Sequence, residues 1–286
     1  MKKLFPILLL LFGTMACRET VISTADINIP EKLVVGCFIN PQDDTLYATV
    51  TLSKPLYKRN SNQYDFETVT NASVQISDGS TSATFTYNSD LGRYLLPRVN
   101  FNIQAGRSYQ LEVSTPDGKR VTASTIVPEP QNFNFTLLLT NTGTIPEESR
   151  YLMDARWQGV PGPERHYRFI YGIRTISSWD DYEYWPNADE WNPSQYFSDL
   201  TQENRNYRFR ETVYGGWRSP FDSTQISLTA VLQELDVHSY RYFTSLAAQL
   251  NTTGGFSEPV VVYSNIENGL GCFGSHFQYK IQRDSL

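Results

Sequence analysis

The 286-residue sequence is poor in the residues that most often carry catalysis or bind metals, with only three histidines and three cysteines. A zinc site needs three or four clustered His, Cys or carboxylate ligands, and no such grouping is visible along the chain. The sequence also lacks the G-x-S-x-G, H-E-x-x-H and EF-hand signatures. These absences predict a protein that is not an enzyme, with no catalytic residues, no metal site and no cofactor.

Long apolar runs are also missing beyond residue 16, although a membrane-spanning helix takes about 20 apolar residues. The first sixteen residues follow a different pattern. Lys2 and Lys3 precede a nine-residue apolar run (LFPILLLLF), and small or modest residues follow as far as Ala16. This order is typical of a secretory signal peptide. We therefore expect residues 1–16 to be a cleaved signal peptide.

Cys17 follows that segment directly. A signal ending in a small residue and a cysteine resembles the lipobox of bacterial lipoproteins, in which the thiol is acylated and the chain is cut just before it. Thr14 and Met15 differ from the usual lipobox residues, so an ordinary secretory signal cut near Ala16 is the alternative. We expect lipidation of Cys17, a tether over residues 17–30, and attachment to the membrane through the acyl chains.

Positive charge is scarce: 24 Lys and Arg stand against 30 Asp and Glu, a formal net charge of −6. Loss of Lys2 and Lys3 with the signal peptide would make the mature chain more acidic still. An acidic balance disfavours nucleic acid and anionic membrane surfaces as partners.

Aromatic residues are abundant, with 18 Tyr, 16 Phe and 5 Trp, and this composition favours strands. Turn signals such as Asp78-Gly79 and Pro116-Asp117-Gly118 separate short alternating segments between residues 32 and 127. The pattern predicts an all-β fold whose first domain, residues 31–130, is an immunoglobulin-like or transthyretin-like sandwich. The seven predicted strands are residues 32–39, 45–52, 72–76, 81–87, 93–96, 108–114 and 121–127.

The second half, residues 131–286, is predicted to form another β-rich domain with one helix. Asp236 is a good N-cap, and apolar residues recur at helical spacing as far as residue 250. A long aromatic and acidic loop is expected between residues 177 and 198. The predicted strands are residues 132–139, 153–157, 167–173, 205–214 and 226–232, with a last one after residue 274.

The aromatic loop is the most unusual segment of the sequence. Aromatic faces stack on sugars or on partner side chains, and the neighbouring carboxylates add hydrogen-bond acceptors. The loop is therefore a candidate ligand-binding site for a glycan or a peptide. The alternative is a loop folded back so that its rings fill the second domain. The candidate residues are Trp179, Tyr182, Tyr184, Trp185 and Trp191.

Residues 269–274 (GLGCFG) fit the G-x-G-x-x-G pattern of dinucleotide-binding proteins. That motif requires a strand before it and a helix after it, whereas the last twelve residues have the pattern of a strand. We expect a glycine-rich bend leading into a final strand. Within the same segment Cys272 and His276 could form a thiolate–imidazole pair, which is the one enzymatic hypothesis that the sequence offers.

Two cysteines remain besides Cys17. In an oxidising compartment Cys37 and Cys272 could form a disulfide. Alternatively, each is a separate buried cysteine that packs as a small apolar side chain.

Several segments together resemble a known family of Bacteroidota outer-membrane lipoproteins, domain of unknown function 4249. The most distinctive run is residues 264–269 (SNIENG), within a longer match over residues 256–274. The other segments are residues 32–36 (KLVVG), 72–79 (ASVQISDG), 92–94 (GRY) and 105–109 (AGRSY).

The resemblance implies a lipid-anchored protein of the outer membrane, commonly encoded beside TonB-dependent receptors, and it implies no reaction. We therefore expect an accessory or ligand-capture partner of a TonB-dependent transporter, with a glycan-binding lipoprotein as the alternative. Arg18-Glu19 supplies one acidic residue after Cys17, where surface-export signals have several. The sequence thus leaves open whether the protein faces the periplasm or the cell surface.

Overall fold

The computed structural model describes residues 30–54, 67–132, 134–144, 148–176, 181–186, 195–199, 205–217, 225–251 and 260–284. These residues form a mainly β protein with one α-helix, which confirms the predicted fold class. Within these ranges no helix has the length and apolar character needed to cross a bilayer.

Sixteen strands are present in the described residues, and their alternating burial reflects the period-two pattern of the sequence. The strands are β1 (Leu33–Ile39), β2 (Thr45–Leu52), β3 (Ser73–Ser77), β4 (Ser82–Thr84), β5 (Thr86–Asn88), β6 (Arg93–Pro97), β7 (Ser108–Ser114), β8 (Arg120–Ile126), β9 (Thr136–Asn141), β10 (Glu148–Gln158), β11 (His166–Ile176), β12 (Asp181–Tyr184), β13 (Tyr196–Ser198), β14 (Asn206–Trp217), β15 (Gln225–Leu235) and β16 (Leu270–Arg283); the helix is α1 (Val237–Leu250).

The strands form three sheets. The nine-stranded sheet has the order β12-β11-β15-β16-β1-β2-β6-β5, with β13 also paired to β11. The three-stranded sheet has the order β14-β10-β9, and the four-stranded sheet has the order β4-β3-β7-β8. All neighbouring strands are antiparallel except β1 and β16, which pair in parallel from Val34 opposite Leu270 to Ile39 opposite Ser275.

Of three buried apolar clusters in the described residues, the two larger ones lie between these sheets. The first draws its side chains from residues 33–127 together with Ile266 and Phe273, and the second from residues 137–232. The first cluster is the sandwich interior that the sequence predicts for residues 31–130. It is completed by two residues from near the C-terminus, and β16 runs through the middle of the largest sheet. The two cores therefore share the nine-stranded sheet.

One predicted strand, residues 81–87, is two strands in the structure. β4 pairs with β3 in the four-stranded sheet, whereas β5 pairs with β6 in the nine-stranded sheet. Between them Phe85 is buried in the first core, and its backbone N–H donates to the carbonyl of Val74. The chain thus crosses from one layer of the sandwich to the other at Phe85.

The expected loop over residues 177–198 was also only partly right. Its described residues include β12, which pairs with β11 from Ile173 opposite Tyr184 to Ile176 opposite Asp181. β13 follows further along and pairs with the beginning of β11. Arg174 holds β12 in place through two hydrogen bonds to Asp181, from Nε at 2.8 Å and from Nη2 at 2.6 Å. The segment is therefore partly an edge hairpin.

The glycine motif serves β-sheet packing and no helix follows it. Gly271 and Gly274 both lie within β16 rather than in a bend before it. A Cβ on Gly271, whose φ is +104°, would lie 2.1 Å from the carbonyl oxygen of Val35, and one on Gly274 would lie 2.1 Å from the Ser239 hydroxyl. These glycines allow β1 and α1 to approach β16 closely, so the chemistry of a phosphate loop is not needed to explain them.

The helix begins where the sequence predicts. The Asp236 carboxylate accepts hydrogen bonds from the backbone N–H groups of His238 and Ser239, as an N-cap does. It also accepts from the Thr125 hydroxyl at 2.9 Å and from the Ser275 N–H at 3.0 Å. One buried carboxylate thus ties α1 to β8 and β16.

Candidate functional site

The edge hairpin formed by β11 and β12 carries the described part of the predicted aromatic site. β12 is the outermost strand of the nine-stranded sheet, and all four of its side chains are exposed. Its pairing partner β11 sends alternate residues, Tyr171 and Ile173 among them, into the second core. The hairpin therefore extends a buried aromatic face outward to the edge of the molecule.

Tyr182 and Tyr184 lie two residues apart and so share one face of β12. Their side chains are 55% and 50% exposed. The ring centroids are 6.3 Å apart, and the ring planes differ by 14°. The two exposed rings are therefore nearly parallel neighbours on one face of β12, and we call this pair the tyrosine platform. An apolar ligand face can bury such exposed rings.

Tyr171 lies on the same face of the sheet, inward of this platform. Burial raises the pKa of Tyr171, and the nearby Glu211 carboxylate raises it further. The phenol therefore stays neutral and keeps its proton. The Tyr171 hydroxyl is hydrogen-bonded to the Glu211 carboxylate, so the two groups partner each other and the Tyr171 ring lies in the second core.

Trp185 takes a different role from the two tyrosines. Its indole is half-buried and lies over Gly172, where an added Cβ would come within 2.6 Å of the ring. Its Nε1 donates to the Glu183 carboxylate at 3.1 Å. Trp185 therefore packs the hairpin from the face opposite to the tyrosines. Of the three predicted binding residues that the structure describes, Tyr182 and Tyr184 share one face and Trp185 does not.

The remaining predicted site residues lie outside the described residues. They are Cys17, Trp179 and Trp191. The described rings at 182 and 184 do not pack on α1, which is the position that the folded-back alternative would require.

Of the two alternatives for Cys37 and Cys272, the structure has separate cysteines rather than a disulfide. Both cysteines are buried with free thiols. Because β1 and β16 pair with Gly36 opposite Cys272 and Cys37 opposite Phe273, the two thiols point to opposite faces of the sheet. Burial raises the pKa of Cys37 to about 12, and it also raises that of Cys272. Both therefore have the properties of structural cysteines.

The Cys272–His276 hypothesis is contradicted by the strand geometry. Four residues along β16 correspond to about 13 Å, far beyond hydrogen-bond reach. Burial, helped by the Arg168 guanidinium, lowers the pKa of His276 to about 4. Within the described residues no three His, Cys, Asp or Glu side chains cluster closely enough to hold a metal ion.

The distinctive run at residues 264–269 has a structural role. The Asn265 side chain accepts a hydrogen bond from the Phe273 N–H at 3.0 Å and donates to the Phe273 carbonyl at 2.8 Å. It also donates to the carbonyl of Ser124 on β8, and the N–H of Glu267 donates to the carbonyl of Thr122. The segment thus covers the open edge of β8 and attaches it to β16.

Two tyrosines from the other resembling segments act in the same way. The buried Tyr94 hydroxyl donates to the carbonyl of Val69 and accepts from the N–H of Ala72. The buried Tyr109 hydroxyl accepts from the N–H of Gln104. These three side chains, Asn265, Tyr94 and Tyr109, therefore hold parts of the fold together.

The structure also has a concave site that the sequence did not predict. A cavity of about 550 Å³ is lined by residues 126–129, 163–166 and 234–238. Arg165 and Glu234 form a buried ion pair beside it, and the Tyr279 hydroxyl lies 3.4 Å from the second Glu234 oxygen. Burial raises the pKa of Glu234 although Arg165 opposes that shift. Arg165, Glu234 and Tyr279 therefore interact with one another, and these contacts connect the start of β11 with β15 and β16.

Among comparisons of the chain with solved structures, curated proteins and protein families, the family comparison agrees with the resemblance. A chain from a structure titled "Cytokine receptor complex - Crystal form 2" is similar over 68% of this chain and 89% of that chain, at 13% sequence identity. The TM-score is 0.23, which is too low to indicate a shared fold. No curated protein matches the sequence. The model of the family described as domain of unknown function (DUF4249) matches residues 19–282, and the chain therefore belongs to that family.

Proposed function

We propose that this protein is an outer-membrane lipoprotein, anchored through Cys17, that acts by binding rather than by catalysis. It serves as an accessory or ligand-capture partner of a TonB-dependent transporter. The signal-like N-terminus supports export and lipid anchoring. The family resemblance supports the outer-membrane location and the transporter as the partner.

The observation that carries the binding role is the exposed tyrosine platform. Aromatic side chains that lie exposed and close together are common at recognition sites, because burying them against a partner removes much apolar area from water. Tyr182 and Tyr184 occupy such a position at the free edge of the largest sheet. An edge strand also offers unpaired backbone groups to a partner chain.

The partner is tested by purifying the tagged lipoprotein from cross-linked membranes of its native cells. We expect recovery of a TonB-dependent receptor, and weaker recovery with Tyr182→Ala/Tyr184→Ala. Tyr47→Ala is the matched control, because Tyr47 is also an exposed strand tyrosine, 44% accessible, on β2. Recovery of the lipoprotein alone would count against the partnership. Equal effects of both variants would show that the tyrosine platform does not contribute to receptor binding.

The lipid anchor and the outer-membrane location are tested separately. The chain should incorporate labelled fatty acid and fractionate with the outer membrane, and Cys17→Ser should abolish both. Labelling that persists in Cys17→Ser would exclude lipidation at this residue.

Glycan binding is the second candidate, and the exposure of two adjacent tyrosine rings on one face of β12 favours it. Exposed aromatic rings offer faces on which apolar sugar faces can stack. Retention on immobilised polysaccharides should be lost in Tyr182→Ala/Tyr184→Ala and kept in Tyr47→Ala. A protein that no polysaccharide retains would eliminate this candidate while leaving the transporter partnership intact.

A further inference from the structure

We propose that the outer face of the three-stranded sheet docks on a membrane surface rich in lipid phosphate groups. The residues of β10 that alternate with the buried Met153, Ala155 and Trp157 point away from the second core. Together with their neighbours on β14 they form a group of charged side chains that we call the arginine face. It consists of Arg150, Asp154, Arg156, Arg208 and Arg210.

The centre of the arginine face is a built arrangement. Asp154 is only 5% exposed, and it accepts hydrogen bonds from two guanidinium groups. Arg156 binds it through Nε at 2.9 Å and Nη2 at 2.6 Å, and Arg208 also uses Nε and Nη2. These bonds hold the Asp154 pKa well below its usual range, with Arg156 the largest cause and Arg208 the next. The carboxylate therefore stays charged and fixes both guanidiniums.

The two fixed arginines still present their charge to solvent. Their side chains are 55% and 48% exposed, and the Nη1 of neither takes part in the bonds to Asp154. Arg156 and Arg208 lie directly opposite each other on β10 and β14. Like charges opposite each other are normally destabilising, and one carboxylate neutralises only one of the two.

The rest of the face adds charge and amphipathic side chains. Arg210 is exposed and lies opposite Asp154, and Arg150 lies with its guanidinium 5.1 Å from the centre of the Tyr214 ring. Tyr214 is 60% exposed, and Leu138, beside Asp154 on β9, is 58% exposed. Even without Arg150, the three residues Arg156, Arg208 and Arg210 stand against the single carboxylate of Asp154, which gives a local surplus of positive charge in a chain whose net charge is −6.

Charge, shape and composition together favour a lipid surface as the occupant. Guanidinium groups bind phosphate oxygens through paired hydrogen bonds. The arginine face runs from Arg150 to Arg156 along β10, about 20 Å, and includes Arg208 and Arg210 on the neighbouring β14. This arrangement fits many phosphates in a layer rather than one dissolved anion. Exposed tyrosine and leucine side chains beside basic residues suit the boundary between headgroups and acyl chains.

The test uses the chain from residue 18 onward, which keeps every described residue and has no Cys17 to be acylated. It is sedimented with vesicles of phosphatidylcholine and phosphatidylglycerol, and with vesicles of phosphatidylcholine alone. We expect binding to the anionic vesicles only, weakening as salt screens the charges. Since the anchor is absent, the result is independent of whether Cys17 carries lipid and of any transporter.

The informative variant is Arg156→Gln/Arg210→Gln, which leaves Arg208 bound to Asp154. At about 1 kcal/mol for each basic residue at an anionic surface, the loss should be about 30-fold. Arg98→Gln/Arg283→Gln, which removes two exposed arginines elsewhere, is the matched control and should bind within about twofold of the unchanged chain at moderate salt. Arg210→Gln alone, which breaks no ion pair of the arginine face, should lose about fivefold if the double variant does not fold.

Three results would overturn the proposal. One is equal weakening in the arginine-face variant and the control. Another is sedimentation with neither kind of vesicle at low salt. The third is release from anionic vesicles by dissolved inorganic phosphate at a concentration where chloride of equal ionic strength has no effect, which would assign the face to a soluble phosphate ligand.

Discussion

At the scale of single residues, the close contacts of β16 with its neighbours depend on glycines, which have no side chain. Gly271→Ala combines a backbone conformation unfavourable for alanine with a Cβ only 2.1 Å from the Val35 carbonyl oxygen. We expect it to lower the free energy of unfolding by more than about 3 kcal/mol, or to prevent folding. Urea denaturation of the purified protein measures this loss.

Gly118→Ala provides the control for the backbone term alone. Gly118 also has a positive φ, +91°, but an added Cβ there would have no neighbour within 4 Å. Its substitution should cost about 1 kcal/mol. If both variants lost the same stability, the close approach of β1 and β16 would not be the reason for Gly271.

His276 gives the protein a predictable response to acid. Its folded-state pKa is lowered to about 4 from an ordinary 6.5, first by burial and then by Arg168. Because the unfolded chain binds the proton more readily, stability is complete above pH 6.5 and falls as the pH decreases toward 4. Burial lowers the pKa of His166 as well, so part of the loss has a second source.

The prediction is therefore that His276→Gln loses less stability than the unchanged protein between pH 6.5 and pH 4. Chemical denaturation at a series of pH values provides the measurement. Parallel curves for the two proteins would show that His276 does not contribute to the acid response.

Some of this residue-level detail follows from the sequence and some does not. Asp236 was predicted as a helix N-cap, because a cap depends only on the next few residues. Its bonds to Thr125 and Ser275 were not predicted, since those partners are more than thirty residues away in the chain. The arginine face was missed for the same reason, because the net charge of the chain hides a local surplus.

At the scale of elements, the edge hairpin depends on one contact between its strands. Gly172→Ala should displace the Trp185 indole, since the added Cβ would lie within 2.6 Å of it. We expect a loss of about 1 to 3 kcal/mol and faster proteolysis near β12.

A double-mutant cycle isolates this contact. In a Trp185→Ala background the same Gly172→Ala change should cost much less, because the clash has been removed. If Gly172→Ala lowered the free energy of unfolding equally in both backgrounds, Gly172 would be required for a reason other than its contact with the Trp185 indole.

The element predictions succeeded where one face of a strand is buried. The strands over residues 108–114 and 45–52 have the predicted bounds because alternation is strongest there. β12 was assigned to a loop because its four residues are all exposed, so no alternation marks them. Its pairing depends on Arg174 and Asp181, an interaction across the hairpin that periodicity does not reveal.

At the scale of the whole molecule, the central position of β16 makes the N-terminal half dependent on the C-terminus. A fragment of residues 30–130 would leave the Val34–Ile39 edge of β1 unpaired, and its core would lack Ile266 and Phe273. We expect this fragment to be unfolded or aggregated. Circular dichroism and denaturant titration would check this, with the chain from residue 18 onward as the control.

A cooperative unfolding transition in the fragment would show that residues 31–130 form an autonomous domain. The sequence predicted that domain from the turn spacing of its strands. It could not predict the parallel partner of β1, because that strand lies more than 230 residues further along the chain and leaves no local signature.

The same parallel pairing determines how the protein bears force. A pull on the residues before Leu33 acts along β1, which is bonded to β2 on one side and to β16 on the other. Hydrogen bonds that run across the direction of tension must break together rather than one after another. A pull from the N-terminal side must therefore break two rows of hydrogen bonds at once before β1 leaves the sheet.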